Sequence, residues 1–310
     1  MPLDANLELV LDQLAASGGP ALEQLSVEGA RAQIRVLALL DGEPETVGEI
    51  TDRTIPGPAG PMPARIYRPA GAADGQLPVL AWFHGGGFVI GDIETADPTA
   101  RKLANRSGAL VVSLEYRLAP EHPLPAAPDD CFAAVEWLTA NAELLGGDPN
   151  RLAVGGDSAG GNVAAVAAQR AATSGIALRA QALVYPVIDL RTQTRSYVDN
   201  AEGYLLTAAG MRWFIAHYLG DSGVASDPAG SPLLAASVAG VAPAVIVTAG
   251  YDPLRDEGVA YAERLAAEGV EVSHLAYDDM IHGFASMASI TPRTDEMLAA
   301  VGSALRAFLA

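Results

Sequence analysis

The sequence predicts an α/β fold: a central, mostly parallel eight-stranded sheet with helices on both faces and a helical cap. Three observations carry that expectation. After Gly75, short apolar stretches alternate with helical ones in a repeated βαβ pattern. The stretches themselves, such as LPVLAWF, ALVVSLEY and AVIVTAG, are almost uninterrupted Val, Leu and Ala, as strands buried on both faces must be. Polar and glycine-rich strings follow directly on several of these stretches, which places chemistry at the carboxyl ends of the strands.

Taken in order, the first forty or so residues read as two helices. Leu3, Leu7, Val10 and Leu14 share one helical face, and Val27 to Leu40 resumes a helix after Gly18, Gly19 and Pro20. Because they precede the first strand, these helices (1–45) are free to cover something. Val47 to Ile55 and Ala64 to Tyr67 then read as an antiparallel, hairpin-like opening around GPAGPMP. The parallel part follows, with helices expected near Thr95 to Ser107, Ala127 to Ala142 and Gly161 to Thr173. The alternation stops at about 187–227, where YVDNAEGYLLTAAGMRWFIAHYLG reads as an aromatic-rich helical insertion and a lid candidate. The run from Asp227 to Asp252 is uncharged but broken by Pro228, Pro232, Gly240 and Pro243, so it reads as a loop leading into a buried strand and not as a membrane span. A helix from Arg255 to Glu268, the strand VEVSHLAY, a loop at Met280 to Gly283 and a helix from Thr294 close the chain.

Composition narrows the partners. Across 310 residues the formal charge is −18 and the pI about 4.5, so nucleic acid and anionic membrane surfaces are disfavoured as partners. Half the residues are hydrophobic and the mean hydropathy is +0.22, ample for a large core. One cysteine, Cys131, allows no internal disulfide and no cysteine-based zinc site. The N-terminal stretch carries Asp4, Glu8 and Asp12 in place of a basic leader, which points to a cytoplasmic protein. There is no HExxH string, cysteine cluster or Walker-type loop, so neither metal nor cofactor is expected.

The chemistry is concentrated in three places. Gly156-Asp157-Ser158-Ala159-Gly160 matches G-x-S-x-G between the strand RLAVGG and a helix, the setting in which a sharp turn lifts a serine hydroxyl to a helix N-terminus. His84-Gly85-Gly86-Gly87-Phe88 follows LPVLAWF, and its consecutive glycines would let bare N–H groups reach a substrate oxygen, forming an oxyanion hole with Ala159. A base and its orienting acid should then come in the order Ser, Asp, His. Asp252 ends the strand AVIVTAG and His282 follows the next strand. The other histidines sit in the oxyanion loop (His84), a proline-flanked turn (His122), the lid (His217) and a strand (His274). Asp256 is the fallback acid, while Asp278 and Asp279 lie too near His282 in sequence to reach it from a neighbouring strand.

Together HGGGF, YRLAPEHPLPAAPDD, GDSAGGN, DPLRDEG and HGF resemble the hormone-sensitive lipase family of bacterial esterases, in the branch whose nucleophile motif is GDSAG. The resemblance implies an α/β-hydrolase fold and hydrolysis of short- to medium-chain acyl esters through a Ser158–His282–Asp252 triad. It implies Gly86, Gly87 and Ala159 as oxyanion donors, with Gly85 positioning the loop, and a cap made from the N-terminal helices and the insertion. Family members are often dimers, so a homodimer is possible. Asp157, Tyr116, Arg117 and Glu121 match family strings too, but serve equally well as loop-fixing groups. Tyr204, Leu205, Trp213 and Phe214 of the lid, with Phe88, are candidate substrate contacts. Amide hydrolysis by the same triad and a non-catalytic receptor on the same fold are the competing readings; His282 speaks against the receptor, whose plant examples lack that histidine.

Overall fold

The computed structural model describes residues 1–221 and 223–310. Its centre is one eight-stranded sheet in the order β1-β2-β4-β3-β5-β6-β7-β8. β1 (Glu49–Gly57) and β2 (Gly60–Arg68) form an antiparallel hairpin at one edge, and β2 pairs antiparallel with β4 (Leu110–Leu114). All remaining pairings are parallel: β3 (Leu77–Phe83), β5 (Gly147–Asp157), β6 (Ala180–Val184), β7 (Ala244–Tyr251) and β8 (Val272–Ile281).

Period-two alternation splits the core. Val79, Ala81 and Phe83 of β3 join one buried cluster, and Leu80 and Trp82 join the other. The first cluster is roofed by α4 (Ala126–Asn141), α5 (Ala159–Thr173) and α8 (Arg255–Ala267), through Val135, Val163 and Leu265. The second is roofed by α3 (Ile93–Ser107) and α9 (Arg293–Phe308), through Leu103 and Val301. Both faces of the sheet's centre are therefore dry, which is why β3, β4, β6 and β7 carry so few polar residues, while the edge strands β1 and β8 are partly exposed.

Register then aligns the strand ends. Phe83 pairs with Gly156, Asp157 with Val184, Val184 with Val247, and Tyr251 with Ile281. The loops after β3, β5, β7 and β8 consequently open on the same edge of the sheet, and they carry His84, Ser158, Asp252 and His282.

The remaining helices lie over that edge. α1 (Ala5–Ser17) starts at Asp4, whose carboxylate accepts the Asn6 and Leu7 N–H groups, and α2 (Val27–Leu37) starts at Ser26, whose hydroxyl accepts Gly29 N–H. Arg31 of α2 donates to the carbonyls of Val89 and Ala119 and to Glu121, which ties the helix to the loops beyond β3 and β4. Among the described residues no helix is long and apolar enough to cross a membrane.

Three sequence expectations need correction. The aromatic insertion is not one helical segment: α6 (Ser196–Asp199) is a single turn, residues 200–207 are irregular, and α7 (Ala208–Leu219) starts afresh where Thr207 caps Gly210 N–H. The hairpin strands run through most of GPAGPMP, because Pro61 and Pro63 come before β2 pairs with β4 at Ala64, where β2 has only β1 beside it and prolines cost few ladder bonds, leaving only Pro58 and Ala59 between the strands. The expected loop at Met280 to Gly283 is partly strand, since β8 continues to Ile281 past a register irregularity opposite Ala249 and Tyr251. His282 is thus the first residue beyond the strand.

Candidate active site

β5 ends at Asp157 and α5 begins at Ala159, so Ser158 must reverse the chain alone. It does so at φ 55°, ψ −117°, a conformation that L-residues rarely adopt. The surroundings hold it there: its N–H donates to Val184 O at 2.9 Å, and its carbonyl accepts from Asn162 N and Val187 N, each at 3.1 Å. Gly160 is required beneath the turn, because a Cβ there would sit 1.9 Å from the Phe83 carbonyl oxygen.

Facing this elbow, His282 Nε2 lies 3.0 Å from Ser158 Oγ, and His282 Nδ1 lies 2.7 Å from Asp252 Oδ2. The Asp252 carboxylate is fully buried and its other oxygen accepts Leu254 N–H at 2.8 Å. A carboxylate can only accept, so the imidazole proton sits on Nδ1 and the Nε2 lone pair faces the serine hydroxyl. The Tyr185 ring packs against the imidazole at 4.6 Å, and burial pushes its phenol well above its ordinary pKa, so it stays neutral.

The glycine loop after β3 closes the other side. Gly86 O accepts both Val89 N–H (3.0 Å) and Ile90 N–H (2.9 Å), which folds the loop into a tight turn. Among the described residues the N–H groups of Gly86 and Gly87 find no protein acceptor, and Ala159 N–H opens a helix, where no intrahelical acceptor exists. Gly85 differs: its N–H is committed to Asp157 Oδ1 at 3.0 Å, so it holds the loop and does not donate into the site. Burial pushes the Asp157 carboxyl up, against the opposing pull of His84 and the Gly85 N–H. Tyr116 stacks on His84 at 4.4 Å and donates to its carbonyl at 2.7 Å, while Arg117 pairs with Asp130 and Glu121 with Arg31. All four family-string residues hold loops in place.

Between these groups lies a cavity of about 480 Å³ with mostly apolar walls. Tyr204, Leu205 and Phe214 line it, as do Leu206 and Met211. Two expected substrate contacts do not. Phe88, at φ 66°, turns into the core and stacks on Tyr218 at 3.7 Å. Trp213 stands behind that wall, its ring edge-on to Phe214 at 5.2 Å and to His217 at 4.4 Å. The N-terminal helices, which the resemblance places in the cap, build the other wall with Leu11 and Leu14 of α1 and Ile34 and Leu37 of α2, joined by Met287 beyond β8; the sequence singled out none of these as substrate contacts. Periodicity marks the apolar faces of these helices but does not say whether a face meets core or cavity. Among the described residues, no Lys or Arg lines the cavity.

Such a site couples a hydroxyl to a base, points N–H groups at one region and sets both against a mostly apolar chamber. Comparison with known proteins agrees with that chemistry. A match to the alpha/beta hydrolase fold family spans residues 80–286. The chain is similar to the carboxylic ester hydrolase LipN of Mycobacterium tuberculosis, at 42% identity over 99% of this chain and 83% of that protein. It is similar to an ethyl acetate hydrolase of Pseudomonas putida, at 37% identity over 99% and 98%. Among solved structures, a hyperthermophilic esterase from the archaeon Pyrobaculum calidifontis superposes with a TM-score of 0.94 at 40% identity, covering 100% of both chains.

Proposed function

The chain belongs to the alpha/beta hydrolase fold family, and on that premise we propose that it is a serine-dependent carboxylic ester hydrolase acting on short- to medium-chain acyl esters. The resemblance to the hormone-sensitive lipase family read from its motifs agrees with relatives named as ester hydrolases. The observation that carries the assignment is the unbroken Asp252–His282–Ser158 hydrogen-bond chain, set opposite the free N–H groups of the glycine loop.

In this mechanism Ser158 Oγ attacks the ester carbonyl carbon while His282 Nε2 takes its proton. Asp252 stabilises the imidazolium and keeps the ring oriented. The N–H groups of Gly86, Gly87 and Ala159 receive the oxyanion of the tetrahedral intermediate. Collapse breaks the bond to the alkoxy oxygen, which takes from His282 the proton that came from Ser158 and departs as alcohol, leaving an acyl group on Ser158. Water, deprotonated by His282, then releases the acid and restores the serine.

Residues 1–45 and 187–227 act together as the cap over this chamber, supported by the cavity-lining positions that both contribute. A cavity of about 480 Å³ suits a small ester and not a bulky triacylglycerol. The buried, unpaired Cys131 of the chain supports a cytoplasmic setting.

The test is hydrolysis of p-nitrophenyl esters of increasing acyl length by the wild type and by Ser158→Ala. Turnover should peak at short or medium chains and vanish in the variant. Equal turnover by both proteins, or a maximum on emulsified long-chain oils, would overturn the assignment.

A further inference from the structure

Asp252 sits in a loop between β7 and α8, and a buried acid is useful to His282 only if its backbone cannot drift. That backbone is held from outside its own strand. The side-chain amide of Asn200, in the irregular stretch between α6 and α7, donates to two main-chain oxygens: Asp252 O at 3.0 Å and Gly250 O at 3.3 Å. Asn200 is 5% exposed, so bulk water does not compete for these two carbonyls in the folded protein. Asn200 is held in turn by Ser196, one turn earlier, whose carbonyl accepts Asn200 N–H at 2.9 Å. The Ser196 hydroxyl, completely buried, donates to Pro253 O at 2.5 Å and accepts Asp256 N–H at 3.2 Å. Asp256 closes the clamp, its Oδ2 accepting Ser196 N–H at 2.8 Å. The fallback acid of the sequence reading thus faces the insertion and not His282.

We propose that Asn200 is a positioning residue for the Asp252–His282 pair, fixing the carbonyls of Gly250 and Asp252 so that Asp252 Oδ2 stays on His282 Nδ1. The proposal rests on the reading of Ser158, His282 and Asp252 as the triad. It also gives the insertion a second duty, because Tyr204, Leu205 and Leu206, a few residues further on, line the cavity. Arg255 shares both carbonyls, its side chain reaching Gly250 O and its own N–H reaching Asp252 O, each at 3.2 Å, but among the described residues only Asn200 reaches Asp252 from the insertion.

The test compares Asn200→Ala and Ser196→Ala with the wild type, each normalised to the serines titrated by a reactive p-nitrophenyl phosphonate. Loss of the clamp should lower kcat per titrated serine about 10- to 100-fold in Asn200→Ala, in line with the cost of misplacing a catalytic group by a fraction of an ångström to an ångström. Ser196→Ala should fall in the same direction by less. KM for a small acetate ester should hold. A role in stability alone would lower Tm and the titratable fraction while leaving kcat per serine in place, and that result would overturn the proposal. If Asn200→Ala yields no folded protein, Ser196→Ala decides by the same readouts. Undiminished turnover by Ser158→Ala, run in parallel, would instead overturn the triad reading on which the proposal rests.

Discussion

Asp157 Oδ1 accepts the Gly85 N–H at 3.0 Å, a single bond that ties the nucleophile turn to the glycine loop across neighbouring strands. The two halves of the site are therefore held in register by a side chain that meets neither the reacting oxygen nor the base. Asp157→Asn keeps an acceptor of the same shape and should retain most activity. Asp157→Ala should lower kcat roughly tenfold by loosening the Gly86 and Gly87 donors, with little change in KM. Steady-state kinetics on one short ester checks both. Equal losses in the two variants would show that the charge, and not the hydrogen bond, matters.

Two neighbouring glycines should behave differently for a geometric reason. A Cβ on Gly87 would meet the Phe214 ring at 2.2 Å, whereas one on Gly86 would meet the Ile90 carbonyl oxygen at 2.1 Å. Both substitutions should cost about 10²–10³ in kcat, the scale of losing an oxyanion donor. Adding Phe214→Ala should recover part of the loss in Gly87→Ala, because a side chain can be removed. It should recover nothing in Gly86→Ala, where backbone is in the way. The same ester assay on the double variants decides.

Lys102, the one lysine in the chain, donates to Asp41 Oδ1 at 2.6 Å with both side chains buried. The pair joins α3 to the end of the N-terminal segment, and Asp41 also accepts Ala288 N–H at 3.4 Å just beyond the His282 loop. Removing one partner strands a buried charge, so Lys102→Met should destabilise the fold by about 3–5 kcal/mol. Adding Asp41→Leu should restore most of that. Urea unfolding gives both values, and a double variant no more stable than the single would contradict the argument.

Glu268 shows a pH dependence whose sign can be worked out. It accepts the Ser237 hydroxyl, the Val238 N–H and Arg264, and these bonds hold its carboxyl down at about 2. A folded-state value below the unfolded one means stability that is fully present above the ordinary carboxylate range and lost as pH falls through about 2. Glu268→Gln should therefore lower Tm at neutral pH, and the gap from wild type should close on acidification. Thermal scans across that range test it, and a gap independent of pH would count against the ionised form.

The parts of this molecule legible in the sequence are those where chemistry restricts the residue locally. Ser158 between glycines, the glycine run after β3, and Asp252 and His282 at successive strand ends are all short strings tied to a strand boundary. The sheet was legible for a related reason: burial on both faces leaves continuous apolar runs. Contacts decided by distant elements were not legible. Leu11 and Leu37 lie on helical faces that would look the same packed against core or lining a cavity. Phe88 adjoins the glycine loop, yet a left-handed φ turns it inward onto Tyr218. Asn200 belongs to no motif, because its role depends on α6 lying beside the Asp252 loop, far away in sequence.

The central claim is that Ser158 is the nucleophile activated by His282 and Asp252. The most direct measurement is mass analysis of the wild type after reaction with a p-nitrophenyl phosphonate, with p-nitrophenol release followed in parallel. One phosphonyl group per chain on the peptide containing Ser158, together with complete loss of esterase activity, is the predicted result. An adduct on another residue, or full activity in a chain whose Ser158 is modified, would contradict it.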